Sequence, residues 1–338
     1  MDGIRPLRVE SMSTLTEAPR RATAKELPLF PPSWYFFSES RAIAHKPVVK
    51  SMFGREIVAF RTKSGEAVAM DARCSHFGAN LGHGAVVGDA IQCPYHGWRY
   101  GPDGTCVGIP SGCAIPEFAR QKTYPLQERH GCVFIFNGAA PSFPLPWFVD
   151  DDAADEFAAS RPFEFMAGSP WDTVTGQAFD VQHFLFVHRR RLLDRPVIDT
   201  PLPYVRRIRY SAEILPNDWR DRVLSIAGGK TVHTSLAVWG GTVTMITTHF
   251  ERFTSRFMMM ARPITRRETL CQGIVFAKTS SRIALRVRRY FSCAFVVDES
   301  RYLGTVVAAP ERFVESDAAM SDYLRFLETL YERTGDVP

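Results

Sequence analysis

Cys74 and His76 stand one residue apart, Cys93 and His96 stand two apart, and sixteen residues separate the pairs. Thiolates and imidazoles are the ligands of zinc and of iron–sulfur clusters. Sixteen residues are enough for a hairpin that returns the second pair beside the first. Gly78, Gly82, Gly84, Gly88, Gly97 and Pro94 supply tight turns at its tips. A second group follows at Asp180, His183 and His188. Asp180 and His183 are three apart and would share a helix face. His183 and His188 are five apart, about 140° around an ideal helix. They can meet at one metal only if the helix breaks or bulges between them. This differs from the His-x-x-x-His spacing of zinc peptidases. Taken singly, each histidine is a core residue. Taken together with a carboxylate, they form the two-imidazole, one-carboxylate set that leaves positions open on a metal for dioxygen and substrate.

That set needs its carboxylate. From Ile283 the apolar residues recur as Ile283, Val287, Phe291, Ala294, Phe295, Tyr302 and Val306, the stripe of an amphipathic helix. Asp298 falls on this stripe. A carboxylate facing a core is costly unless paired or bound to metal, so Asp298 is expected to be the third ligand. Asp317 and Asp322 are the alternatives, but they sit in a charged stretch and are expected to face solvent. Glu299 lies off the stripe.

Zinc sites usually segregate two cysteines from two histidines, whereas both pairs here are mixed. Mixed ligation, with two imidazoles replacing two thiolates on one iron, is the Rieske [2Fe–2S] arrangement. Cys74-Ser-His76 and Cys93-Pro-Tyr-His96-Gly-Trp98 resemble the Rieske motif of the Rieske non-haem iron oxygenases. Gln177-x-x-Asp180-x-x-His183-x-x-x-x-His188 resembles the mononuclear-iron motif of the same family, which commonly has asparagine where Gln177 stands. Ser33-Trp-Tyr35 and His76-Phe-Gly-Ala-Asn-Leu81 are similar to the branch containing aminopyrrolnitrin oxygenase, ketosteroid hydroxylases and cholesterol desaturases.

The resemblance implies a terminal oxygenase component. Cys74 and Cys93 would hold one iron of the cluster and His76 and His96 the other. His183, His188 and Asp298 would hold a mononuclear Fe(2+). Asp180 would not ligate but would bridge a histidine of that site to a Rieske histidine of a neighbouring subunit, so a homotrimer is implied. O2 would be co-substrate, with electrons from NAD(P)H through a separate ferredoxin or flavin reductase. No G-x-G-x-x-G fingerprint occurs to place that reductase on this chain. The substrate would be a hydrophobic ring compound, to be hydroxylated, N-oxygenated, desaturated or demethylated. The fold implied is α+β: an antiparallel β Rieske domain, then a helix-grip catalytic domain with a curved antiparallel sheet.

The chain has 338 residues, 45% apolar and 23% charged, with a formal net charge of +5. This is the composition of a two-domain globular protein without a nucleic-acid signature. The expected division is a mobile tail over 1–26, the Rieske domain over 27–140 and the catalytic domain over 141–338. Pro141, Pro144 and Pro146 mark the linker, and Asp150, Asp151, Asp152 and Asp155 an acidic surface run. Of seven cysteines, the five outside the motif (Cys106, Cys113, Cys132, Cys271 and Cys293) show no paired spacing; with no secretory core and no apolar run long enough to span a bilayer, the expected location is the cytoplasm. Trp239, Met245, Met258 and Met260 are candidate pocket residues or ordinary core. His83, His233 and His249 are expected to be structural. Arg189–Arg191, Arg206–Arg209 and Arg286–Arg289 are solvated faces or a dock for an acidic electron donor. The rival reading is a non-enzymatic lipid or sterol carrier with structural metals.

Overall fold

The computed structural model describes residues 27–149, 156–216, 218–306 and 310–334. The tail expected over 1–26 and the acidic run Asp150, Asp151, Asp152 and Asp155 lie outside these described residues.

The first half is built of short antiparallel strands. Val48–Met52, Arg55–Arg61, Ala67–Asp71 and Thr123–Tyr124 form one four-stranded sheet. Ala85–Val87, Ala90–Gln92, Arg99–Tyr100 and Cys106–Gly108 form another. A third sheet places Cys132–Phe136 between Trp34–Glu39 and Leu126–Arg129. Cys132–Phe136 is buried along its whole length. Because side chains alternate across a strand, Val133 and Ile135 fill the core of the first half beside Ile57 and Ala59. Phe134 and Phe136 point the other way, into the second half.

The second half is one nine-stranded antiparallel sheet. Its central order is Glu268–Ala277, Thr254–Thr265, Val243–Phe250, Thr231–Trp239 and Val205–Ile214. One face packs on the first half: Trp239, Met245, Met258, Met260 and Phe276 share a core with Trp34, Phe134 and Phe136. The candidate pocket residues Trp239, Met245, Met258 and Met260 are therefore core against the neighbouring sheet. The opposite face carries the helices α1 (Trp171–Gly176), α2 (His183–Phe186), α3 (Trp219–Gly228), α4 (Arg282–Leu303) and α5 (Ala318–Thr334). Against it Ile208, Leu236, Val238 and Cys271 meet Trp171, Val174 and Phe179, with Met320, Tyr323 and Leu327 of α5 above. Gly176 is where α1 and α5 touch: a Cβ there would stand 2.5 Å from the Met320 methyl. This is the curved sheet and helix layer that the sequence implied.

The proline-bearing stretch around Pro141 and Pro146 is not a loose linker. Phe143, Leu145 and Phe148 are buried in the shared core, and Trp34 Nε1 donates to the Phe143 carbonyl at 2.9 Å. The turn at Gly240 and Gly241 locks the halves and α5 together. Both glycines hold positive φ, 50° and 76°. Tyr331 and Tyr323 donate to their carbonyls at 2.8 and 3.3 Å, and Thr242 Oγ1 bonds Ser33 Oγ at 2.7 Å. A Cβ at Gly240 would stand 2.2 Å from the Phe143 ring. Gly240→Ala is expected to cost about 1–3 kcal/mol through this clash and the left-handed backbone. Thermal unfolding by circular dichroism checks it; an unchanged midpoint would show that the turn is not a constraint.

Candidate metal centres

The two Cys-His pairs sit on matching loops. In each, the cysteine carbonyl accepts from a glycine four residues on: Gly78 to Cys74 at 2.8 Å and Gly97 to Cys93 at 3.1 Å. Both glycines hold positive φ, 72° and 71°, a geometry that glycine adopts without strain. Both cysteines are buried, while His76 is half-buried and His96 exposed. The thiols thus point inward and the imidazoles outward. His76 is clamped between Phe77 and Trp98, with both ring centroids at 4.2 Å, and lies 4.8 Å from the His96 ring. Tyr100 sits beneath, its hydroxyl 3.1 Å from Cys74 Sγ and 3.0 Å from Ser75 Oγ. Burial raises the Cys74 thiol pKa, and neighbouring Cys93 adds to the rise. A bound cation offsets that cost by stabilising the thiolate. His76 Nδ1 is buried without a hydrogen-bond partner, as a ligating nitrogen would be. A closed zinc site would bring all four ligand atoms to one point. Among the described residues, three such groups converge within 4.8 Å elsewhere, at His183, His188 and Glu299. Two mixed Cys-His pairs with buried thiols fit a two-iron cluster, in which each iron takes two protein ligands.

The second centre depends on a broken helix. After α1 the chain passes through a tight turn at Gln177–Phe179, and Asp180 takes φ −81°, ψ 89°, outside the helical region. Asp180 and His183 therefore do not share a continuous helix face. α2 is only four residues long, and His188 falls just past its C-cap at Val187. The break that the five-residue spacing demanded lies after Phe186, and the two rings come to 4.8 Å. His183 Nδ1 bonds the Asp180 backbone carbonyl. This makes Nδ1 the protonated nitrogen and leaves the Nε2 lone pair free. Nε2 is buried with no hydrogen-bond partner. His188 stacks on Phe295 at 4.1 Å.

The carboxylate that reaches these rings is Glu299, with Oε1 3.7 Å from His183 Nε2 and Oε2 3.8 Å from His188 Nε2. The side chain of Asp298, the residue expected here, lies outside the described residues. The stripe on which that expectation rested is not the buried one. Ile283, Val287, Phe295 and Tyr302 are exposed, whereas Val296 and Leu303 are buried. Glu299 is three after Val296 and four before Leu303, on the inward face. Asp322 is held by Arg206, with its Oδ2 2.8 Å from Nε. Asp317 accepts from Gln182 at 2.7 Å and from the Val314 N–H at 2.9 Å. Neither is available to the histidines.

Asp180 is half-buried at the surface. Its Oδ1 accepts from the N–H groups of Gln182 and His183 at 3.2 and 3.4 Å, and Oδ2 lies 3.7 Å from His183 Nδ1. The arginine clusters are largely consumed inside the fold: Arg190 by Asp221, Arg191 by Glu213, Arg207 and Arg209 by Asp199. His233 and His249 pair with Ser211 and Thr254 across strands, as structural residues do.

Residues 33–119 match the family model of the Rieske [2Fe–2S] domain. The chain carries a Rieske domain. It is 37% identical to aminopyrrolnitrin oxygenase of Pseudomonas fluorescens over 164 residues, 46% of this chain and 45% of that protein. It is 32% identical to a cholesterol 7-desaturase of Ciona intestinalis over 175 residues, 50% of this chain and 37% of that protein. The alignments thus span less than half the length of these relatives. Over nearly the whole chain the fold matches that of dicamba monooxygenase bound to dicamba, with TM-score 0.69 and 16% identity across 91% of this chain and 99% of that one. A Rieske domain implies a [2Fe–2S] cluster, and Cys74, His76, Cys93 and His96 offer a donor set that fits one.

Glu299→Ala is expected to weaken anaerobic Fe(2+) binding at least about tenfold while leaving the Rieske absorbance intact. Asp298→Ala should change neither. Calorimetric titration with Fe(2+) reads both, and the opposite pattern would return the role to Asp298. Burial, with neighbouring His188 adding, lowers the His183 pKa against the pull of Glu299 and Asp180. The folded chain therefore favours neutral His183, and the metal-free protein should lose stability as pH falls below the unfolded value near ~6.5. Urea midpoints across that range should fall less steeply for His183→Gln.

Proposed function

We propose that this chain is the terminal oxygenase component of a Rieske non-haem iron system. The observation that carries the reading is the convergence of His183, His188 and Glu299 in a chain that also holds a Rieske domain. Two imidazoles and one carboxylate are the donor set of oxygen-activating non-haem Fe(2+), which when bound supplies dioxygen activation at its open positions. His183 and His188 offer imidazole nitrogens, the first fixed by its bond to the Asp180 carbonyl. Glu299 supplies the negative charge.

Asp180 acts as a positioning residue. Its backbone carbonyl sets the His183 tautomer, and its carboxylate is aimed by two helix N–H groups yet remains half exposed. His96 stands exposed at the tip of the Rieske domain beside exposed Phe77 and Tyr95. Two surface-facing groups of this kind suit a bridge between the Rieske tip of one subunit and the Asp180 surface of the next, within a homotrimer. A separate ferredoxin or flavin reductase would deliver electrons from NAD(P)H. The seven cysteines are all free, which suits the reducing cytoplasm.

The substrate is a hydrophobic ring compound. Val296, three residues before Glu299, packs on Phe163 and Phe257, with Ile246 and Met259 beside them. The names of the relatives speak of aminopyrrolnitrin and cholesterol, and apolar surroundings of this kind suit a hydrophobic ligand. A non-enzymatic carrier would not bury two imidazoles and a carboxylate facing one another.

With a surrogate reductase, the purified protein is expected to couple NADH and O2 consumption to product formation from a panel of ring compounds. It should hold three irons per chain, two in the cluster and one at the histidines. Colourless, zinc-loaded protein would favour the carrier. Asp180→Asn should keep both metals but slow single-turnover oxidation of the cluster at least about tenfold. An unchanged rate would remove Asp180 from the path.

A further inference from the structure

α3 and the N-terminal half of α4 turn apolar residues outward in the same rhythm. On α3 these are Trp219, Val223 and Ile226; on α4, Ile283, Val287 and Tyr290. Both triplets follow i, i+4, i+7, one stripe along a helix. The exposure is extreme at the ends, 75% for Ile226 and 74% for Ile283. The stripes join where the Trp219 and Tyr290 rings stack at 6.3 Å. Contiguous exposed apolar surface of this kind marks an interaction site.

The charge around it has one sign. Arg222, Arg282 and Arg286 are exposed, and no ion pair or side-chain hydrogen bond engages them among the described residues. The neighbouring acids are already used. Asp221 pairs with Arg190, Asp218 pairs with Arg220 and accepts from the Asp221 N–H, and Glu251 accepts from the N–H groups of Lys230 and Thr231. The first turn of α4 contains no acidic residue. Cations at a helix N-terminus oppose the helix dipole, so these arginines do not serve the stability of α4.

We propose that α3 and α4 form a docking face for the surface of an anionic lipid bilayer. Helices bearing outward Ile, Val, Trp and Tyr, with arginines beside them, suit the headgroup layer. Each arginine near an anionic surface adds attraction that salt screens. A flat protein partner would need a groove or a larger flat area to cover two projecting stripes. The face lies close to the metal centre: Tyr290 is nine residues before Glu299 on the same helix, about 14 Å. Binding to the bilayer is a property of the surface and stands whether or not the oxygenase reading holds.

The test is flotation of the full chain with vesicles of phosphatidylcholine alone and of phosphatidylcholine with about one quarter phosphatidylserine. Binding is expected to the anionic vesicles, falling as salt rises, and little to the neutral ones. Ile226→Asp with Ile283→Asp should weaken it about tenfold or more, and Arg282→Glu with Arg286→Glu should do the same. Both pairs are on exposed surface, and circular dichroism checks that the variants are folded. No flotation, or flotation unchanged in both variants, overturns the proposal. So does a fall in oligomeric state of the Ile variant by light scattering, since a second copy of the chain would then be the occupant. Slower reduction of the Rieske cluster by an acidic ferredoxin in the Arg variant, without any vesicle binding by the parent, would likewise overturn it.

Discussion

Two imidazoles and a carboxylate facing one another beneath apolar cover are costly unless a cation lies among them. That cost organises the second half of the molecule. The helix must break after Phe186 so that His188 can return beside His183. Asp180 must leave the helical region so that its carbonyl can accept from His183 Nδ1–H. α4 must present the face that carries Glu299 together with Val296 and Leu303. Each is a local departure from the simplest helical geometry, and each aims a ligand atom at the same point.

The scaffold that tolerates these departures is rigid because it is covered on both faces. The large sheet meets aromatic residues of the Rieske half on one side and α1 and α5 on the other. The Gly240–Gly241 turn ties all three together through Tyr323, Tyr331, Ser33 and Phe143. The Rieske loops use a different device. Their ligands are held by a repeated turn closed on a left-handed glycine, so precision there comes from the backbone.

The Rieske domain was legible because residue type, spacing and turn glycines all lie within two short stretches. The spacing of His183 and His188 likewise announced a helix break. The carboxylate that faces the histidines was not legible, because α4 is apolar on two faces. Ile283, Val287, Phe295 and Tyr302 make a better stripe than Val296 and Leu303, yet the weaker one faces the core. Glu299 and Asp298 are one residue apart, a rotation of about 100°. The strand Val205–Ile214 was hidden by Arg206, Arg207 and Arg209, which read as a solvated charge run. Their partners Asp199 and Asp322 are distant in sequence or unremarkable in type. Met245, Met258 and Met260 read equally as pocket or core, because nothing in their sequence says which face of the sheet the histidines occupy.

The interlocking of the two halves limits how this protein can be dissected. Severing the chain between Asn137 and Pro146 would strip Trp34, Phe134 and Phe136 of their cover on one fragment and Trp239, Met258 and Phe276 on the other. Each piece would carry a large sticky surface and aggregate. The electron-carrying half is therefore not a cassette to be swapped into another scaffold, and chimaeras would have to exchange the matching sheet face along with it.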